Sequence, residues 1–269
     1  MAKSVVQTTI ELLGKLDPSV QKVMGQAQKA ASKTGDAIGK ALSSGFKVGV
    51  AAAGAFTTTL VKIGTEYQSA TGQISAATGA TGAELESLQG VMENVYGNNY
   101  GDSMADVADA VATVSQQMKG LSNGELQSVT EGAFALRDVF QYDVAEGVRA
   151  ANALVNNFGI SGDDAMNLIA AGAQNGLDFS GELLDTISEY SGQFAKVGID
   201  ADQMFQIMQA GADSGAWNLD KVGDAIKEMS IRVVDGSDTT AAGFEAIGMD
   251  ADAMAQKFAA GGESAQEAF

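Results

Sequence analysis

The stretch from Phe158 to Gly215 states one unit twice, and this repetition limits the possible folds more than any other feature. FGISGDDAMNLIAAGAQNG begins at Phe158 and VGIDADQMFQIMQAGADSG at Val197, an ungapped offset of 39 residues. Gly159/Gly198, Ile160/Ile199, Asp163/Asp202, Ala171/Ala210, Gly172/Gly211, Ala173/Ala212 and Gly176/Gly215 coincide. A weaker third copy starts at Ile247, offset by 50 from the second, with Asp200, Asp202 and Met204 returning as Asp250, Asp252 and Met254. Serial units of this length cannot each bury an apolar face alone, so they stack into an array.

Within each copy an apolar residue and Gly make a turn, Asp or Ser caps, a short apolar-striped helix follows, and Gly ends it. Ser161 with Asp164 and Asp200 with Gln203 have capping-box spacing, in which the first side chain accepts from the free amides of the new helix. The spacing recurs as Thr81/Glu84, Ser103/Asp106, Ser122/Glu125 and Asp143/Glu146. Apolar residues keep helical spacing between these starts, with no competing alternation, so the fold class is all-α: serial short helices in an irregular helical-repeat array. With 33 Gly, a single Pro and 6% aromatic residues, the array is built from small side chains and close helix contacts. Gly172 and Gly211, equivalent in AAGA and QAGA, are the candidate positions for such helix packing.

Four segments are expected. Residues 1–45 form a basic N-terminal arm, extended or coiled-coil-like, with Val20, Val23, Ala27, Ala30, Thr34, Ala37 and Ala41 at alternating spacings of 3 and 4 and lysines 33, 40 and 47 along one edge. Residues 46–64, FKVGVAAAGAFTTTLVKIG, form a Gly/Ala-rich apolar helix, shorter and less apolar than the ~20 residues that cross a bilayer unaided. Residues 65–78 read as a Gly/Ser/Thr/Ala-rich hinge, and 79–269 as an acidic helical-repeat body. Its helices are expected near 163–174, 181–195, 201–213 and 219–233, before a polar loop at 235–240. Because the sequence stops soon after the third copy begins, the reading is that of a body truncated at its C-terminal end, since arrays close with a polar unit.

The absence of Cys and His excludes thiolate nucleophiles, imidazole triads and Cys/His metal sites. The pairs Asp163/Asp164, Asp200/Asp202 and Asp250/Asp252 offer carboxylates, yet each stands at a helix start, where capping and the helix dipole already account for Asp. No catalytic, metal or cofactor residue is therefore expected. A net charge of −18 argues against nucleic acid as a specific partner. The charge is uneven: residues 1–62 hold eight Lys against Glu11, Asp17 and Asp36. In the apolar run Val48, Val50, Phe56, Leu60, Val61 and Ile63 are candidate membrane-interacting residues, sheltered until release, while Gly49, Ala53 and Thr57 allow close helix packing.

The basic arm, the run from Val48 to Leu88, YGNNYGDSMADVADAV at 96–111 and the two repeat copies, taken in this order, resemble the tail tape measure proteins of long-tailed bacteriophages and phage-tail-like particles. The resemblance implies a structural protein, not an enzyme, lying along the tail-tube lumen during assembly in several copies and setting the tube's length. It also implies association with the tail tube protein, tail assembly chaperones and tail tip or baseplate proteins, then ejection ahead of the DNA into the host envelope, where apolar segments meet the membrane. At ~1.5 Å per helical residue this chain is short for a ruler, so the likeness is to the N-terminal portion of one. The alternative is a secreted helical translocator or pore-forming protein with a conditional membrane segment; the serial 39-residue units weigh against it.

Overall fold

The computed structural model describes the backbone of residues 54–269 and the side chains of residues 64–269. The arm expected at 1–45 lies outside the described residues. Among those described there are twelve helices and no strand, as the periodicity predicts: α1 (Gly54–Thr78), α2 (Gly82–Gly97), α3 (Met104–Gln117), α4 (Asn123–Phe140), α5 (Val144–Phe158), α6 (Gly162–Gln174), α7 (Leu183–Lys196), α8 (Ala201–Asp213), α9 (Leu219–Arg232), α10 (Asp238–Ala246), α11 (Ala251–Ala260) and α12 (Gly262–Ala268).

Two sequence expectations are corrected. Residues 65–78 are not a hinge but the C-terminal half of α1. Ala70 and Ile74, four apart, are fully buried, and one such stripe holds a helix together even when Ser, Thr and Gly surround it. The break comes at Gly79, whose φ of 75° is left-handed. The polar stretch 235–240 is loop only in its first half. There the Ser237 amide donates to Asp235 Oδ1 at 2.7 Å, and Ser237 Oγ accepts from the Thr240 amide at 3.3 Å, starting α10.

The chain divides into two compact units, and the division falls inside α4: residues up to Gln116 with Leu121–Thr130, and Gln117–Gly120 with Glu131–Phe269. In the first unit α1 and α2 pack antiparallel. Tyr67 Oη donates to Glu93 Oε1 at 2.7 Å and Gln89 Nε2 to Thr71 Oγ1 at 3.1 Å, so positions ascend on one helix as they descend on the other. α3 supplies the buried Met104, Val107, Val111 and Val114, and Gln116 Nε2 donates to the Ala77 carbonyl.

The second unit contains the array. α5, α7 and α9 run parallel, side by side. Arg149 pairs with Asp185 and Asn157 with Ser191 between α5 and α7; Tyr190 pairs with Asp224 and Gln193 with Ser230 between α7 and α9. α6 and α8 return the chain between them, and α6 also packs on α8. α5 and α7 begin 39 residues apart, as do α6 and α8; the sequence offset is thus one helix pair. The fully buried Val148, Leu154, Ile187, Phe194, Met204 and Met208 fill the space between helices.

Candidate functional site

The repeated turns define the sites the array offers. At Gly176, Gly198, Gly215 and Gly248 the helix before the turn ends in the same motif: the Gly amide donates three residues back and the next amide five back, as from Gly198 to Ala195 and from Ile199 to Phe194, each at 3.1 Å. These glycines have φ between 78° and 86°, where a Cβ is disfavoured. That backbone requirement accounts for Gly at these four turns.

The acidic pairs stand at helix starts, where Asp200 and Asp250 are the caps, Ser161 caps ahead of Asp163 and Asp164, and Asp202 and Asp252 lie in the first turn. Asp200 Oδ1 accepts from the Gln203 amide at 2.8 Å while Gln203 Oε1 accepts from the Asp200 amide at 3.1 Å. Asp250 accepts from the Ala253 amide at 2.7 Å. Ser161 Oγ accepts from the Asp164 amide at 3.1 Å and donates to that residue's carboxylate at 2.7 Å. Ser103, Ser122 and Asp143 accept from amides in their first turns as well. Bonding to the Ser122 hydroxyl and amide lowers the pKa of Glu125. Thr81 departs from the expected pattern: it occupies the N-cap position with extended backbone but makes no side-chain cap bond.

Gly172 and Gly211 both lie at close approaches. A Cβ on Gly172 would stand 2.8 Å from Phe205 Cε1 and 3.3 Å from Leu177 Cδ1. One on Gly211 would meet the Val222 methyls across the α8–α9 hairpin. Two further contacts have no counterpart in the repeat alignment. Gly223 faces the Tyr190 ring, and Gly198 faces Gly262 and Gln266 of α12. Position 223 corresponds to Leu184 at the 39-residue offset, so self-comparison gives no hint that a bare backbone is needed there. Tyr190 is 2% exposed and its hydroxyl donates to Asp224 Oδ1 at 2.9 Å; burial, with this bond and nearby carboxylates, pushes its phenol well above the ordinary range.

α12 covers the second-copy turn, where Val197 and Ile199 are 2% and 4% exposed. The equivalent residues of the third copy, Ile247 and Met249, are 65% and 45% exposed. At the opposite end of the helix pairs, the exposed Val139 lies in the last turn of α4, and the turns leading into α7 and α9 carry the exposed Phe179 and Trp217. Next to them is an open groove lined by Arg149, Glu182, Asp185, Ser188, Glu189 and Asp220. Sequence reasoning missed this edge. Its one signal was a single Trp placed in a turn between Gly215 and the start of a helix.

Of the candidate membrane-interacting residues, Val48 and Val50 lie outside the described residues, while Phe56, Leu60, Val61 and Ile63 belong to the backbone of α1. Among the described residues no helix is long and apolar enough to cross a membrane, and no three acidic side chains gather so as to hold a metal ion.

The family described as phage-related minor tail protein matches residues 94–269, the stretch that contains both helix-pair repeats and the third copy. The chain is also similar to uncharacterized protein YqbO of Bacillus subtilis (strain 168), 29% identical over 147 residues, which is 54% of this chain and 9% of that protein. The matched stretch is thus a small part of YqbO's length. No solved structure matches.

Proposed function

Because the chain belongs to the phage-related minor tail protein family, we propose that it is the part of a tape measure protein that carries a folded helical-repeat body behind an apolar segment. The family match across the repeats carries this reading. Two observations support it: the order of motifs resembles tape measure proteins from the arm through to the second repeat, and YqbO is far longer than the region it shares with this chain. In this reading several copies act in the tail, meeting the tail tube protein, assembly chaperones and tip or baseplate proteins. The parent protein sets tube length and is ejected ahead of the DNA. The family match also draws support away from the secreted translocator.

Disrupting the gene in the phage or prophage that encodes it, with electron microscopy of the particles, tests the reading. Tails should be missing or of uncontrolled length, and tails of normal number and length would overturn it. The ejection step has its own test. Released protein should leak dye from anionic vesicles, and a variant with Ala53→Asp and Phe56→Asp should not, because a charge within a thin apolar run opposes insertion. Equal leakage from both proteins would return residues 46–64 to the role of an ordinary buried helix.

A further inference from the structure

We propose that the edge where α7 and α9 begin is a docking surface for a basic amphipathic helix of a partner protein, a segment with apolar side chains on one face and lysine or arginine beside them. The first ground is what the edge exposes. Phe179, in the turn into α7, is 48% exposed, and Trp217, in the turn into α9, is 87% exposed. Side-chain caps fix both turns: the Leu183 amide donates to Asp178 Oδ1 at 3.1 Å and the Lys221 amide to Asn218 Oδ1 at 3.2 Å. The caps leave the indole to solvent and the phenyl half in it, and rings of this size are stabilised by contact with a partner.

The second ground is charge. Beside the rings an open groove crosses α5, α7 and α9, lined by Arg149, Glu182, Asp185, Ser188, Glu189 and Asp220. The cations near it are already engaged: Arg149 with Asp185 at 2.8 Å, Lys221 with Asp224 at 3.9 Å and Lys227 over the Tyr190 ring at 5.8 Å. Among the described residues no cation pairs with Glu182, Glu189 or Asp220. A helix start favours acids in its first turn only. That accounts for Asp185 and Asp220, whereas Glu189 stands in the middle of α7, so the groove holds more negative charge than its helix starts explain. Residues 64–269 contain eight Lys and Arg against 31 Asp and Glu. Copies of such a surface repel one another, so the complementary cations come from a different protein.

The third ground is span. Packed helices lie ~8–10 Å apart, and α7 and α9 are parallel neighbours, so the turns leading into them are separated by about one helix spacing. A partner helix rises ~10.5 Å over seven residues. Apolar residues two turns apart on it reach Phe179 and Trp217 together, with its cations over the groove. The inference stands independently of the tape measure reading.

The chain's single tryptophan reports on this edge. The probe is a labelled synthetic peptide of ~14 residues, about four helical turns, made of leucine and lysine with the leucines on one face. Titrated into the full chain at low salt, it should raise label anisotropy and cut acrylamide quenching of Trp217 by about half or more, and both effects should weaken in about 1 M salt, where the screening length is ~3 Å. A peptide with glutamate in place of lysine should do neither. Glu182→Gln/Glu189→Gln/Asp220→Asn should weaken binding about tenfold or more, since each exposed ion pair contributes up to a factor of ~5. Phe179→Ala should weaken it as well. Neutralising three acids elsewhere, Asp163→Asn/Asp202→Asn/Asp252→Asn, should leave it close to that of the parent, with all variants compared at unchanged helical circular dichroism. Equal losses in the two triple variants, or anisotropy without shielding of Trp217, would mean attraction to the acidic surface at large and overturn the site. So would an absence of binding. Shielding of Trp217 before any peptide is added also overturns it: shielding that grows with protein concentration gives the edge to a second copy, and shielding independent of concentration gives it to the chain's own residues.

Discussion

Glycine does two different jobs in this chain, and substitutions separate them. At Gly172 a Cβ would press on the Phe205 ring, so Gly172→Leu should cost roughly 1 to 3 kcal/mol by overpacking. Gly90, inside α2, has nothing within 4 Å of a built Cβ, so Gly90→Ala should stabilise by up to ~1 kcal/mol through helix propensity alone. Thermal melts of the two variants should move in opposite directions; a rise in both would remove the packing role from Gly172. Tyr190 supplies a second test at this scale. Its phenol is raised by burial, so the unfolded chain gives up that proton at a lower pH than the folded one. The contribution is therefore complete below the unfolded pKa of ~10 and is lost as pH rises above it. Tyr190→Phe should lose the Asp224 bond, about 1 kcal/mol at neutral pH, while flattening the alkaline fall in stability. An unchanged slope above pH ~10 would show that this phenol does not govern it.

At the scale of the element, the helix starts are where sequence and structure correspond most closely, because a cap is a local bond between residues two or three apart. Asp200 satisfies both halves of a capping box, and Asp200→Ala should cost ~1 kcal/mol. Thr81, identical in spacing, makes no cap bond, and Thr81→Ala should be close to neutral in urea unfolding. Equal losses at both sites would mean that sequence spacing and not the observed bond sets the contribution. The C-terminal half of α1 shows the limit of local reading. TGQISAAT has the composition of a linker, yet Ala70 and Ile74 are buried in packing on α2, and tertiary burial outweighs weak propensity. Amide exchange across 65–78 should be slowed as in a packed helix; exchange at the free-chain rate would restore the hinge.

For the whole molecule, the 39-residue offset is one step of a layered helix pair, and arrays of this kind have stability built from units and nearest-neighbour contacts. Removing residues 159–197, one full period, joins α5 to the turn before α8 and replaces one parallel neighbour of α9 with another. The product should remain helical and unfold cooperatively, though weakened by loss of the Tyr190 contacts. A deletion of about half that length would leave a helix facing the wrong way and should give a poorly cooperative, partly melted second unit by circular dichroism. Similar cooperativity in both products would show that the units are not interchangeable steps of one array.

By itself the sequence determined the helical class, the period, most helix starts and the glycine-terminated helix ends. All of these depend on bonds between residues at most five apart and on an apolar stripe visible at 3.6-residue spacing. The family resemblance was legible for the same reason, since it lies in the order of local motifs. Tertiary structure alone decided which bare backbone faces which ring. Gly223 against Tyr190 and Gly198 against Gln266 join residues 33 and 68 positions apart, and neither pair leaves a periodic trace. It also decided that the turns into α5, α7 and α9, each unremarkable in sequence, lie in one row, with Phe179 and Trp217 exposed in the last two. That row exists because α5, α7 and α9 pack in parallel, and the direction in which helices pack is set by the fit of their faces, a property no single segment contains.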